Sequence, residues 1–415
     1  MDRLIRTVFS FKELKTHRDD DFVDRLSRTY TATLLTIFAC IVSTKQFVGD
    51  PISCWCPAHF TDSHRQYTNT ICWISNTYYI PFEQRIPDAD EKIWRSKRVV
   101  SYYQWIPLML MCMLLCSLIP AFIWRFLMLR SGIDVSSVID AASACQRASY
   151  AEIREKTVRY MINQIDRYLM AQRDYTKGCC MRIRHLLAKY CFLIGGKRHG
   201  NYLTVAYLVI KILYLINAVG QLFLLDQFLG IDYHLYGIHV LSRLLRGEDW
   251  AVSERFPRVT LCNFEIRHQA RVHDYVVQCA LTVNLFNEKI FVAIWFWYVF
   301  VAIATAISLI RWIIRALLWP AQLHYVKKQL RAYEVSHRSK ANLRKFTQYY
   351  LRRDGLFLMR LISINVGEIV AAEVLAGLWE NYGPDKRFIA ENPANRRQAL
   401  RGGGATKEKG RMDVI

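Results

Sequence analysis

The chain has 415 residues, 53% of them hydrophobic and 13% aromatic, with a formal net charge of +21. Its mean hydropathy of +0.07 is high for a sequence that is 22% charged. Long apolar blocks alternate with strongly basic ones, as in a polytopic membrane protein with basic faces, and this segregation sets aside the nucleic-acid binder that a basic balance alone would permit.

Residues 1–29 mix Arg3, Arg6, Lys12, Lys15, Arg18, Arg25 and Arg28 with Asp19, Asp20, Asp21 and Asp24. No apolar core follows within them, so they read as no signal peptide, and the first span is itself the signal anchor. Met1–Phe11 has the spacing of a short amphipathic helix, for which the bland reading is a helix on the membrane surface.

Four spans follow, at roughly Tyr30–Phe47, Trp105–Leu129, Tyr202–Leu229 and Ile290–Ile314, each near the ~20 residues a bilayer needs. The segments after the second and fourth spans carry a large Lys and Arg excess, whereas the two other loops are close to neutral. The positive-inside rule then makes both termini and the middle loop cytoplasmic. The expected organisation is a cytoplasmic segment over 1–29, spans over 30–47, 102–129, 202–229 and 290–314, and extracellular loops over 48–101 and 230–289. A cytoplasmic helical loop occupies 130–201, a C-terminal helical domain 315–383, and a disordered tail 384–415. Leu361–Tyr382 has apolar residues at helical spacing but carries Glu368, Glu373 and Glu380, so it reads as one amphipathic helix packed on protein.

In the first span, Thr29, Thr33, Thr36, Cys40 and Ser43 or Thr44 recur at steps of three and four and share a stripe about 120° wide. Such a stripe faces either water in a pore or a neighbouring helix packed closely through small residues. Lys211 is the clear charge inside a span. Its depth in the third span fits snorkelling to the cytoplasmic interface better than pairing within the bundle. The second span opens with Tyr102-Tyr103-Gln104-Trp105-Ile106-Pro107. Its aromatics suit the headgroup zone, and Pro107 sits in the first turn, where its missing N–H costs little.

Of the twelve cysteines, Cys54, Cys56 and Cys72 fall in the first extracellular loop and Cys262 and Cys279 in the second. Five cysteines in oxidising loops predict a disulfide framework with one thiol left over. Zinc is the competitor, but Cys54-Trp55-Cys56 and Cys179-Cys180 lack the two-residue spacing and matching second pair of a structural site. No metal site, cofactor site, nucleophile–base set or phosphate-cradling glycine loop is read in the chain, so no catalytic residue is assigned.

The segment YYQWIP resembles the YYQW-x-P signature at the head of the second transmembrane helix of the innexins, the invertebrate gap-junction proteins. Tyr102, Tyr103, Gln104, Trp105 and Pro107 carry that match. Further matches surround Cys54 in GDPISCW, Cys72 in CWISNTYY, Cys262 in FPRVTLC and Cys279 in VQC. Others lie in Asn284–Phe291, Trp295–Trp297 and Arg353–Phe357. Ile106 stands where valine is usual, and Asn263 where an aspartate commonly follows the third cysteine. Cys56 departs from the two-cysteines-per-loop pattern and is the candidate odd thiol.

The resemblance implies an all-α polytopic membrane protein with four transmembrane helices, disulfide-bridged extracellular loops with some β structure, and a helical cytoplasmic domain. It implies bridges between the loops, Cys54–Cys279 and Cys72–Cys262, although the sequence alone does not choose among the pairings. It also implies a conduit lined by Thr29, Thr33, Thr36, Cys40 and Thr44, with an N-terminal funnel carrying Arg3 and Arg6. About eight such subunits would form a hemichannel that docks with that of an adjacent cell and passes ions and small metabolites at a plasma-membrane gap junction. The expected partners are further copies of the chain, other innexins and membrane lipid, with no nucleic acid. The terminal Asp413-Val414-Ile415 offers a short strand to a PDZ domain. The alternatives are an undocked hemichannel, as in the related pannexins, and a non-conducting four-span junctional scaffold. Neither extracellular loop holds an Asn-x-Ser/Thr sequon, which leaves docking open.

Overall fold

Among the described residues, four helices are long and apolar enough to cross a membrane: Phe22–Phe47, Tyr102–Leu129, Tyr202–Leu229 and Thr282–Leu317. A computed structural model of the chain describes residues 20–80, 99–171, 200–230, 233–247, 256–268, 271–333 and 340–382. Arg3, Arg6, the Met1–Phe11 helix, Cys179, Cys180, Cys191 and the C-terminal tripeptide lie outside the described residues. The described residues divide between two compact units. One is built from Val23–Phe122 and Lys211–Ser308, the other from the described parts of Met1–Phe22, Ile123–Ile210 and Leu309–Ile415.

The first unit holds the strands. Helix α1 (Phe22–Phe47) leads to β1 (Ser53–Trp55), α2 (Asp62–Ile74), β2 (Thr77–Tyr78) and β3 (Val99–Val100). A single 3₁₀ turn, Tyr102–Trp105, then enters α3 (Ile106–Leu129). The later strands β4 (Val259–His268) and β5 (Arg271–Ala280) form a long antiparallel hairpin, and the sheet order is β1-β5-β4-β2-β3. The sheet thus interleaves strands from two loops that are far apart in sequence. Beneath it, Leu35, Val42, Leu110, Met113, Leu225, Phe291 and Ile294 belong to one buried apolar core.

The second unit is helical. It contains α4 (Val135–Arg147), α5 (Ala151–Ala171), α9 (Trp319–Ala332), α10 (Lys340–Lys345), α11 (Arg352–Asn365) and α12 (Glu368–Tyr382). Asp134 caps α4 by accepting from Ser136 N at 3.1 Å and Ser137 N at 3.4 Å. The expected single helix over Leu361–Tyr382 is instead two. Gly367 adopts φ +140°, a conformation that L side chains rarely adopt, and the chain turns there between α11 and α12. Helices α5 and α12 approach at Gly377, where a Cβ would stand 2.2 Å from Ile162 Cδ1, and Arg154 pairs with Glu373 at 2.7 Å.

Candidate functional site: the disulfide-braced cap and the first span

Cys54 on β1 and Cys279 on β5 are register partners, and a disulfide joins them. A second disulfide joins Cys72, near the end of α2, to Cys262 on β4. The bridges close separations of 225 and 190 residues. In the chain-entropy view each is worth up to about 5 kcal/mol, because long unfolded loops lose the most freedom. The Sγ atoms of Cys54, Cys72 and Cys279 lie within 4.8 Å of one another. A disulfide sulfur is not a thiolate, so this cluster is two abutting bridges rather than a zinc site. Cys56 is a free, half-buried cysteine.

Polar contacts join the loops further. Cys54 N donates to Asn69 Oδ1 at 3.0 Å, and Tyr78 Oη donates to Asn263 Oδ1 at 2.7 Å. Asn263 therefore works as an acceptor at the position where the resemblance expected an aspartate.

The aromatic entry to α3 does something other than float in a headgroup zone. Tyr103 is fully buried, packs against Trp73 with ring centroids 4.7 Å apart, and donates through its hydroxyl to Trp73 O at 3.4 Å. Gln104 Nε2 donates to Trp73 O and, at 3.3 Å, to Asn76 Oδ1. Gln46, at the end of α1, donates to Tyr103 O at 2.6 Å. The motif pins the last turn of α2 to the heads of two spans, and Trp105 alone of its aromatics is an exposed side chain. Composition suits these aromatics to a headgroup belt, but burial separates them: Tyr103 is core, Tyr102 half-buried and Trp105 exposed.

The Asn284–Phe291 stretch is a second junction. Asn284 Nδ2 donates to Pro257 O at 2.9 Å, and Arg258 pairs at 2.9 Å with Glu288, which is fully buried. These contacts hold the segment before β4 against the start of α8 (Thr282–Leu317). Nearby, Tyr233 donates to Phe291 O at 2.6 Å, and burial pushes its phenol well above the ordinary range, so it remains a donor. A short helix, α7 (Tyr236–Leu245), follows, and its Gly237 lies against the Trp295 ring.

The first span has two faces. Thr31, Leu35, Ala39, Val42 and Gln46 are buried at helical spacing. Thr29, Thr33, Cys40 and Thr44 are exposed and Thr36 is half-buried, so this chain leaves the hydroxyl stripe uncovered. Its hydroxyls bond back along the helix: Thr33 to Thr29 O at 2.9 Å, Thr36 to Ala32 O at 2.8 Å and Thr44 to Cys40 O at 2.8 Å. Ile37 and Ile41 flank the stripe and are also exposed. Thr29, at the start of the stripe, lies in a π turn over Leu26–Tyr30, a rare geometry enriched at functional positions.

Lys211, on α6 (Tyr202–Leu229), does not snorkel. It is fully buried, with Nζ 2.8 Å from Asp24 Oδ1 and 2.9 Å from Ser308 Oγ. An internal carboxylate supplies more than the distant interface, so the charge stays inside. Asp354, from the Arg353–Phe357 motif, is likewise fully buried and caps the start of α6. It accepts from Thr204 N at 3.1 Å and Thr204 Oγ1 at 3.0 Å, with Tyr168 Oη at 3.3 Å. Burial pushes its pKa up, against the opposing pull of these donors.

A family model described as Innexin matches residues 20–382. The chain belongs to the innexin family. It is 39% identical over 376 residues to Innexin unc-9 of Caenorhabditis elegans, covering 90% of this chain and 95% of that one. To Innexin-3 of the same nematode it is 37% identical over 386 residues, covering 92% and 87%. To Innexin-19 of Caenorhabditis briggsae it is 32% identical over 395 residues, covering 89% and 88%. Innexins form gap-junction channel subunits and are channel proteins rather than enzymes. Four apolar helices and a disulfide-braced cap fit an innexin of the plasma-membrane gap junction.

Proposed function

We propose that this innexin assembles with further copies, or with other innexins, into a ring of about eight subunits whose wide aqueous pore joins two cells. Both termini and the helical unit are cytoplasmic, a placement the Lys and Arg excess supports, and the strand-bearing cap is extracellular. The observation that carries the pore reading is the two-faced first span. One face is packed into the chain's own core, while Thr29, Thr33, Thr36, Cys40 and Thr44 are left to line the conduit. The Thr33, Thr36 and Thr44 hydroxyls each donate a proton along their own helix and keep oxygen lone pairs for water, which suits a wettable wall in a pore that selects by width and wall charge.

Docking uses the β4–β5 hairpin, whose outer half carries exposed Val272, Arg267 and Arg271. Two bridges and the antiparallel ladder give it the rigidity that end-to-end contact needs.

Paired-cell recording tests this reading, with the chain expressed alone in both cells of a pair that lacks gap junctions. Junctional current is expected, together with block by a thiol reagent when Thr33→Cys is introduced into a Cys40→Ser background. Surface-expressed protein that passes dye across single membranes without junctional current would overturn docking. Silence in both assays, persisting on co-expression with a second innexin, would overturn conduction.

A further inference from the structure

Helix α9 begins where the fourth span ends. Leu318 N still bonds Ile314 O at 3.0 Å, and Gln322 Nε2 donates to Ala316 O at 2.8 Å, which fixes the helix to the last turn of the span. Leu317 and Leu318 at that junction are exposed apolar residues. The helix buries Gln322, Val326, Gln329 and Leu330. On its opposite side His324, Lys327, Lys328 and Arg331 line one recess of about 220 Å³. At 3.6 residues per turn these four positions fall within a stripe about 100° wide.

A solvated helix face commonly carries charges of both signs in i, i+4 pairs, as α5 does with Lys156–Glu152 and Arg159–Glu155. Helix α9 differs. Lys328 pairs with Glu368 at 3.1 Å, and among the described residues His324, Lys327 and Arg331 have no ion-pair or hydrogen-bond partner. Like charges clustered around one concavity raise its potential and select a compact anion. The volume is below the ~300–1,000 Å³ of drug-sized sites, which disfavours a peptide and suits a small group with several acceptor oxygens. Arg331 supplies a planar fork and the two lysines point charges, the usual pairing for phosphate.

We propose that this recess binds clustered phosphate monoesters, presented either by a polyphosphorylated inositol lipid or by a soluble polyphosphate. Its place beside the end of a span, next to exposed leucines, puts it within reach of a lipid headgroup, and basic clusters there are the ordinary recognition element for such lipids.

The test uses the purified full-length protein in nanodiscs of neutral phosphatidylcholine. One arm titrates inositol 1,4,5-trisphosphate by calorimetry; the other titrates a fluorescent phosphatidylinositol 4,5-bisphosphate in the disc. Saturable binding is expected in at least one arm, weakened on the order of tenfold or more by Lys327→Gln with Arg331→Gln, since two charge-assisted bonds are lost. The charge-retaining pair Lys327→Arg with Arg331→Lys should bind within a few-fold of wild type. Lys156→Gln with Arg159→Gln removes the same charge elsewhere and should change nothing. Binding of both ligands assigns the site to phosphate from either source, and binding of the lipid alone assigns it to the membrane. No saturable binding in either arm, or equal weakening by the two glutamine pairs, would overturn the proposal. Neither arm reads current, so the result is independent of whether the chain conducts.

Discussion

Lys211 and Asp24 form an ion pair with 2.8 Å between Nζ and Oδ1, and neither side chain is more than 1% exposed. The pair ties the head of the first span to the third, and Ser308 brings in the fourth at 2.9 Å from the same nitrogen. Removing one partner leaves the other charge buried without its counter-ion, which costs about 3–5 kcal/mol. Lys211→Met alone should therefore lower the thermal midpoint of the purified protein sharply, as should Asp24→Asn alone. The double variant should recover most of the loss, because two neutral side chains of similar volume need no counter-charge. Equal losses that simply add in the double variant would show that the two residues act separately. Thermal unfolding followed by size-exclusion chromatography with fluorescence detection separates these results.

The bridges divide labour in a way that peptide mapping and heating can check. Non-reducing digests should yield Cys54 linked to Cys279 and Cys72 linked to Cys262, with Cys56 alkylated as a free thiol. Cys72→Ser with Cys262→Ser should lower stability by about 2–5 kcal/mol, the usual cost of losing a native bridge. Cys56→Ser should leave the midpoint unchanged. A digest that links Cys56 to either loop partner would refute the arrangement.

Gly237 has no room for a side chain. A Cβ there would meet Trp295 Cε3 at 2.0 Å and Cδ2 at 2.4 Å, while Trp295 Nε1 donates to His234 O at 3.0 Å. Gly237→Ala should push α7 off the ring and cost about 1–3 kcal/mol, as overpacking does. Trp295→Leu added to it should recover part of that loss, and failure to recover would mean that the clash is relieved elsewhere.

What the sequence made legible follows from which forces act locally. Hydropathy blocks are local, so the four apolar helices and the family signature could be read directly. Partners are not local. Asp24 and Lys211 stand 187 residues apart, and nothing in the spacing near Lys211 points to the carboxylate. Four loop cysteines allow three pairings, and the strand register that sets Cys54 opposite Cys279 exists only once two loops share a sheet. The burial of Tyr103 against Trp73 is not local either, because an aromatic next to an apolar run looks the same whether it meets lipid or another ring. The break between α11 and α12 was signalled by Gly367, but the apolar spacing continues through it. The basic stripe of α9 is local and present as a helical pattern; what the fold adds is the burial of the opposite side of that helix at Gln322, Val326, Gln329 and Leu330.

Asp354 offers a pH test with a definite sign. Its carboxyl is fully buried, and burial raises its pKa above the ordinary value of 3.8. The folded state then holds the proton more tightly than the unfolded chain. Its contribution is therefore most favourable below the unfolded pKa and declines as pH rises through the window up to the folded value. The decline reflects a charge confined without full hydration at the start of α6, with Thr204 and Tyr168 as donors. Asp354→Asn keeps an acceptor for Thr204 N and Thr204 Oγ1 and cannot ionise. The variant should lose the part of the stability slope that lies just above pH 4, so its midpoint should exceed that of wild type most clearly near neutrality. Thermal midpoints from pH 4 to pH 7 for the two proteins give the comparison. Parallel curves would show that the helix-start donors fully offset burial, leaving the carboxyl at its ordinary pKa.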